Sequence, residues 1–125
     1  MASKGVKAWS VIPFNPRFVR DGVITDPKAF SQVILNAIDR PGLRLFRALG
    51  ALSGQRSIVS TLTLPKVGDI SLNELIPREA RRSLGVAIDS YYLHWRLLRK
   101  EASRQVFYLV AVPRDSVDRF AESMR

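Results

Sequence analysis

The chain contains a single histidine, His94, and no cysteine. His94 is therefore the only side chain whose ordinary titration falls near neutral pH. A serine nucleophile would need it as its base, and a metal site built around it would have to draw its other ligands from carboxylates. No Asp or Glu pair shows ligand spacing within a turn or strand, and no G-x-S-x-G elbow occurs. Gly50 and Gly54 bracket Ala-Leu-Ser and match no phosphate loop or dinucleotide fingerprint. The carboxylates Asp21, Asp26, Asp39, Asp69, Glu74, Glu79 and Asp89 fall mostly one to an element, as caps, turns or ion-pair partners do. We therefore expect no catalytic, cofactor-binding or metal-ligating residue, and we read His94 as structural or superficial.

The basic residues are the chemistry that remains. Lys and Arg number 20 against 11 Asp and Glu, a formal net charge of +9, and 15 of the 20 are arginines. They cluster: Arg78, Arg81 and Arg82; then Arg96, Arg99, Lys100 and Arg104; with Arg40, Arg44 and Arg47 as a third group. The first two clusters are the candidate partner-binding residues. A positive surface of this kind meets phosphate on nucleic acid or lipid headgroups, or an acidic protein partner, or is simply solvated. Tyr91, Tyr92, Trp95, Phe107 and Tyr108 could stack on bases, but their strand spacing favours core and cross-strand packing.

These residues need elements to hold them. Val6 to Phe14 alternates loosely and is expected to be a strand, and Phe18 to Ile24 can return as a second, with Asp21-Gly22 as a bulge or bend. Asp26-Pro27 opens a helix, with an acceptor for orphan amides followed by a residue that has no N–H to satisfy. Phe30, Val33, Ile34, Ala37 and Ile38 form its apolar stripe, and Pro41-Gly42 ends it. Leu43 to Leu52 fits either a helical face or a strand. Ser57 to Leu64 is β-branched and reads as a strand stopped by Pro65. Ser71 and Glu74 have capping-box spacing, and Leu72, Leu75, Ile76, Ala80 and Leu84 form a helical stripe ending at Gly85. Pro77 should kink that helix or detach its first turn. Tyr91, Leu93, Trp95 and Leu97 make one face of a strand, followed by a charged turn from Arg99 to Arg104. Val106 to Val112 is nearly all apolar, as a central strand covered on both faces would be. Pro113 precedes a last helix with Val117, Phe120, Ala121 and Met124 on one side.

At 125 residues, 46% hydrophobic and 25% charged, the chain suits one globular domain. Residues 1–5 read as a disordered tail or an expression scar, with no apolar stretch like that of a signal peptide. No run of residues is apolar and long enough to span a bilayer. The expected fold class is α+β: a small, mostly antiparallel sheet with about three helices and a strand-helix-strand-strand core.

The order of these segments resembles a known family, the small inserted domain of the actin-like ATPases PilM, of type IV pilus assembly, and FtsA, of cell division. Four stretches carry the resemblance. They are Asp21-Gly22-Val23-Ile24-Thr25-Asp26, and Ala51-Leu52-Ser53-Gly54-Gln55-Arg56-Ser57-Ile58. Next comes Leu62-Thr63-Leu64-Pro65 with Leu72 to Arg82. Last is Tyr92 to Leu98 with Phe107 to Val112 and Val117-Asp118-Arg119-Phe120. PilM is the more similar of the two, and the match runs from about Val11 to Phe120. It implies that Arg44 to Leu52 is a strand. It further implies a contact domain rather than an ATPase, since the family binds nucleotide in flanking subdomains this chain lacks. The implied partner is the short cytoplasmic tail of a PilN-like membrane protein or a neighbouring copy, at the cytoplasmic side of the inner membrane, where anionic lipid is also within reach. Nucleic acid is the alternative partner that the charge itself raises.

Overall fold

The computed structural model describes residues 5–39, 41, 47–53, 56–66, 68 and 71–125. The elements run β1 (Val19–Arg20), β2 (Val23–Ile24), α1 (Pro27–Ile38), β3 (Ile58–Pro65), α2 (Leu72–Leu84), β4 (Tyr91–Lys100), β5 (Arg104–Pro113) and α3 (Arg114–Ser123). Single 3-10 turns at Pro16–Phe18 and Ile88–Ser90 lead into β1 and β4. This is the expected α+β class, with its strand-helix-strand-strand core in β3, α2, β4 and β5.

The main sheet is antiparallel in the order β3-β5-β4. Its long hairpin places the last-made strand in the centre and, among the described residues, leaves β3 and β4 as edges. The sequence alternation is reproduced on β4: Tyr91, Leu93 and Trp95 are half-buried, and Tyr92, His94 and Arg96 are exposed. Leu62 and Leu64 of β3 and Phe107, Leu109 and Ala111 of β5 point to the same side and meet Leu75, Ile76 and Ala80 of α2. One helix thus closes one face of the sheet. The stripe is amphipathic because these residues fall three and four apart, while Arg78, Arg81 and Arg82 occupy the opposite, exposed side.

The local signals behave as their chemistry requires. Asp26 Oδ1 accepts from the Ala29 amide at 3.0 Å, and Pro27 fills the first helical position. Ser71 Oγ accepts from the Asn73 amide at 3.3 Å, a cap one residue short of the capping-box bond to the third helical amide. Helix α2 runs unbroken through Pro77, contrary to the expected split. The bond that proline forfeits would have gone to the carbonyl of Asn73, an exposed residue that water can serve. Gly85 closes α2 in the left-handed region at φ 63.

Four expectations are corrected. Val6 to Phe14 is not a strand; Val6 and Trp9 are 85% and 81% exposed, and no neighbour pairs with this stretch among the described residues. Phe18 to Ile24 is not one bent strand but a hairpin, β1 with β2. Asp21 and Gly22 both have positive φ (51 and 77), which gives the two-residue turn whose twist suits antiparallel strands. Arg47 to Leu52 is not strand either, while Arg44 to Phe46 lie outside the described residues. Finally, β5 is central, but its second face is covered only in part: Val106 is buried there at 6% exposure and Val110 and Val112 are half-buried, while Tyr108 between them is 39% exposed.

A second packing unit joins α1, α3 and the β1-β2 hairpin, with Ile24 fully buried beside them. Phe14 packs edge-on against Phe30, ring centres 5.1 Å apart. The expected apolar side of α3 is only half right. Val117 and Phe120 are half-buried, but Ala121 and Met124 are exposed, and the fully buried positions are Ser116 and Ser123. Ser123 Oγ donates to the Phe120 carbonyl at 2.7 Å, and Ser31 Oγ of α1 donates to the Ser123 carbonyl. Small hydroxyls let the two helices approach closely and satisfy backbone acceptors there.

Candidate interaction surface

The register fixes two faces of the sheet. On the face away from α2, His94, Val110 and Val59 lie in one cross-strand row, and Arg96, Tyr108 and Thr61 in the next. Tyr92 continues this face beside Val112. On the α2 side the rows are Leu93, Ala111 and Ile58; Trp95, Leu109 and Ser60; and Leu97, Phe107 and Leu62. The hairpin carries a bulge between Leu97 and Arg99 that leaves Leu98 without a partner. Bulges add twist and end regular pairing, and beyond this one every residue of β4 is exposed.

The two basic clusters are not one patch. Arg81 ion-pairs with Asp89, which lies just before β4 begins, while Arg99, Lys100 and Arg104 lie at its far end. Ten extended residues separate those ends by about 30 Å. Each cluster is also built around a carboxylate. Arg81 bonds both oxygens of Asp89, at 2.8 and 3.0 Å. Glu79 lies 3.8 Å from both Arg78 and Arg82. Glu101 accepts from Arg99 at 3.0 Å and from Arg104. Arg104, through its hydrogen bond above all, holds the Glu101 carboxyl below its ordinary value, and Glu101 in turn raises Arg104. Arg96 and Lys100 have no ion-pair partner among the described residues. None of the residues of β3, β4 or β5 is acidic.

Sequence reasoning missed a polar junction at the α3 end of the sheet. Tyr92 donates to Asp118 at 2.7 Å, and the Arg114 guanidinium lies 4.5 Å above the Tyr92 ring. Arg114 also donates to the Asp89 carbonyl at 2.8 Å. The hydrogen bond to Asp118 keeps the Tyr92 proton in place and raises its pKa. The contacts join residues far apart in sequence, so no local pattern marks them. This junction ties Tyr92 to α3, though its ring stays 40% exposed, and Tyr108, 39% exposed, lies in the middle of the same face.

His94 lies exposed on β4 beside Val110, with no ring partner among the described residues. Among those residues no three His, Asp or Glu side chains gather as a metal site. A groove of about 420 Å³ lies between α1 and the C-terminal end of α3, lined by Ile34, Leu35, Ile38, Leu49 and Met124 among others. No helix is long and apolar enough to cross a membrane among the described residues.

No protein-family model and no curated protein matches the sequence. A solved structure does. The chain is similar over 90% of its length to a chain of the PilM-PilN type IV pilus biogenesis complex, with a TM-score of 0.76 and 22% identity. At that identity the likeness is one of fold, and it is the fold the ordered motifs led us to expect. The match spans 35% of the solved chain, so this sequence corresponds to about a third of that protein.

Proposed function

We propose that this chain serves as a single docking domain in a PilM-like type IV pilus assembly machinery and carries out no chemistry of its own. Its partner is the cytoplasmic tail of a PilN-like membrane protein, or a neighbouring copy, and it works at the cytoplasmic face of the inner membrane. The observation that carries this reading is the fold match, over nearly the whole chain, to a protein solved in complex with PilN. Two sheet edges unpaired among the described residues, and a second sheet face only partly covered, support a contact role. Arg78, Arg81, Arg82, Arg96, Arg99, Lys100 and Arg104 supply charge complementarity. Since five of these arginines already surround carboxylates, Arg96 and Lys100 have the most to gain from an incoming acid.

The test is a fluorescence-anisotropy titration of the chain with a labelled peptide of such a tail, run beside single- and double-stranded oligonucleotides and anionic vesicles at two salt concentrations. Saturable binding of the tail is expected. Failure of the tail to bind, with tight oligonucleotide binding that falls steeply with salt, refutes the proposal. That outcome would favour the second reading, a nucleic-acid-binding face centred on Tyr108, which the exposed ring and the net charge of +9 support.

A further inference from the structure

The two edges of the main sheet are not equivalent. On β3 the residues facing α2 grow more buried along the strand, ending in Leu62 and Leu64, and its other face presents Val59, Thr61 and Thr63, with no charge. On β4 the α2-facing row of Tyr91, Leu93 and Trp95 stays half-buried, and Leu97 at its end is 46% exposed. Helix α2 packs most closely over β3 and β5 and leaves this β4 row only partly covered. The alternate row of β4 carries His94 and Arg96, and no carboxylate stands in any of the three strands to answer them.

We infer that the β4 edge, from Tyr91 to Leu97, is the docking site, and that its occupant is an extended protein segment of alternating apolar and acidic residues, added to the sheet as a fourth strand. This rests on the docking reading above and adds the place and the chemistry of the partner. An edge strand offers a row of backbone groups that a new strand satisfies. Successive side chains of the added strand must alternate between faces. Those on the α2 side extend the core layer over Leu93, Trp95 and Leu97. Those on the open side lie next to His94 and Arg96, where carboxylates are favoured and lysines disfavoured. The bulge after Leu97 sets the limit, because regular pairing ends there. The site is therefore seven residues long.

The experiment uses the chain as it stands and two capped seven-residue peptides, one alternating valine with glutamate and one alternating valine with lysine. Binding is followed by anisotropy, and its place by amide hydrogen exchange. The glutamate peptide is expected to bind, the lysine peptide to bind at least about tenfold more weakly at low salt, and new exchange protection to fall on β4. Arg96→Glu should reverse the preference, while Thr61→Glu on β3 should leave it unchanged. Circular dichroism confirms that both variants are folded. Equal affinity for the two peptides, no binding of either, or protection on β3 overturns the inference. So does β4 protection that appears without peptide and grows with protein concentration, which would make a second copy the occupant, and so does an oligonucleotide that protects β4 better than the peptide. The tail of a PilN-like protein separates the two proposals. If it binds wild type and Arg96→Glu alike without protecting β4, docking stands and the β4 site fails. If it does not bind while the glutamate peptide does, the β4 site stands and the partner is another protein.

Discussion

Replacing Ile76 by alanine tests the packing that gives the sheet one closed and one open face. Ile76 is fully buried on α2, in the cluster with Leu62, Phe107 and Leu109. The change removes three carbons. At about 0.8 kcal/mol per buried methylene the transfer loss is about 2.4 kcal/mol. A cavity that closes only in part raises the cost to about 3–4 kcal/mol. Alanine's better helix propensity returns a few tenths, roughly 0.4 kcal/mol, too little to alter the outcome. The matched control is Leu72→Ala, which also removes three carbons, one turn earlier on the same helix. Leu72 is 40% exposed, so its transfer loss is at most about 1.4 kcal/mol, with little cavity to add.

Urea denaturation of the three proteins measures the difference. With a slope of about 1–3 kcal/mol per molar for a small domain, Ile76→Ala should lower the midpoint by about 1–4 M and Leu72→Ala by less than half as much. Slopes should agree among all three. Equal midpoint shifts would mean that α2 does not present its Leu75-Ile76-Ala80 side to the sheet, and the distinction between the closed face and the open one would fall with it.

Three further perturbations probe the rest of the fold. A Cβ added at Gly50 would lie 2.7 Å from Phe120 Cζ and 3.0 Å from Cε1, so Gly50→Ala should destabilise by about 1–3 kcal/mol; Phe120→Leu in the same chain should recover part of the loss, and purely additive effects in thermal melts would refute the contact. Glu101, held below the ordinary carboxylate range chiefly by its hydrogen bond from Arg104, should show a depressed titration by carboxyl NMR. Because its folded pKa is lowered, its support for the β4-β5 turn is present above the ordinary glutamate pKa and is lost as pH falls through the lowered one; Arg104→Gln should shift the titration back upward, and no shift would refute the pairing. Asp118→Asn should lower the pKa of the Tyr92 phenol, read from its ring resonances. The raised pKa means that this contact supports the fold below the ordinary tyrosine pKa and loses its effect as pH climbs through the raised one; an unchanged ring titration would refute it.

What was legible in the sequence was whatever the chain decides locally. Asp26-Pro27 opens a helix because one side chain and one missing N–H meet the needs of a first turn, whatever packs nearby. The alternation from Tyr91 to Leu97 and the stripe from Leu75 to Ala80 are set by the periods of strand and helix. The misreadings share a different cause. Val6 to Phe14 has a strand's composition but no neighbour among the described residues to pair with, and an unpaired strand is not stable. The apolar run of β5 says that it is central, yet it cannot say whether a helix lies on both sides. Ser116 and Ser123 look like surface residues until α1 arrives to bury Ser123 and bond its carbonyl. The Arg clusters were visible as groups, but not that Asp89, Glu79 and Glu101 sit inside them.

That last point changes how the net charge of +9 should be read. Arg78, Arg81, Arg82, Arg99 and Arg104 surround three carboxylates along α2 and at the ends of β4, on exposed surfaces where each pair contributes little to stability. Their positive field is partly cancelled where they stand. Arg96 differs, because it lies mid-strand on an edge, next to Tyr108, in a sheet that contains no acid. A like or opposite charge placed opposite it in a new strand would be felt at cross-strand distance. The total charge is thus a poor guide to a partner, whereas under the proposed β4 docking the position of one arginine is a sharper one. It favours a contact read residue by residue along a strand over a diffuse attraction to polyanions, and it makes Arg96→Glu the substitution in which those two modes of binding give different results.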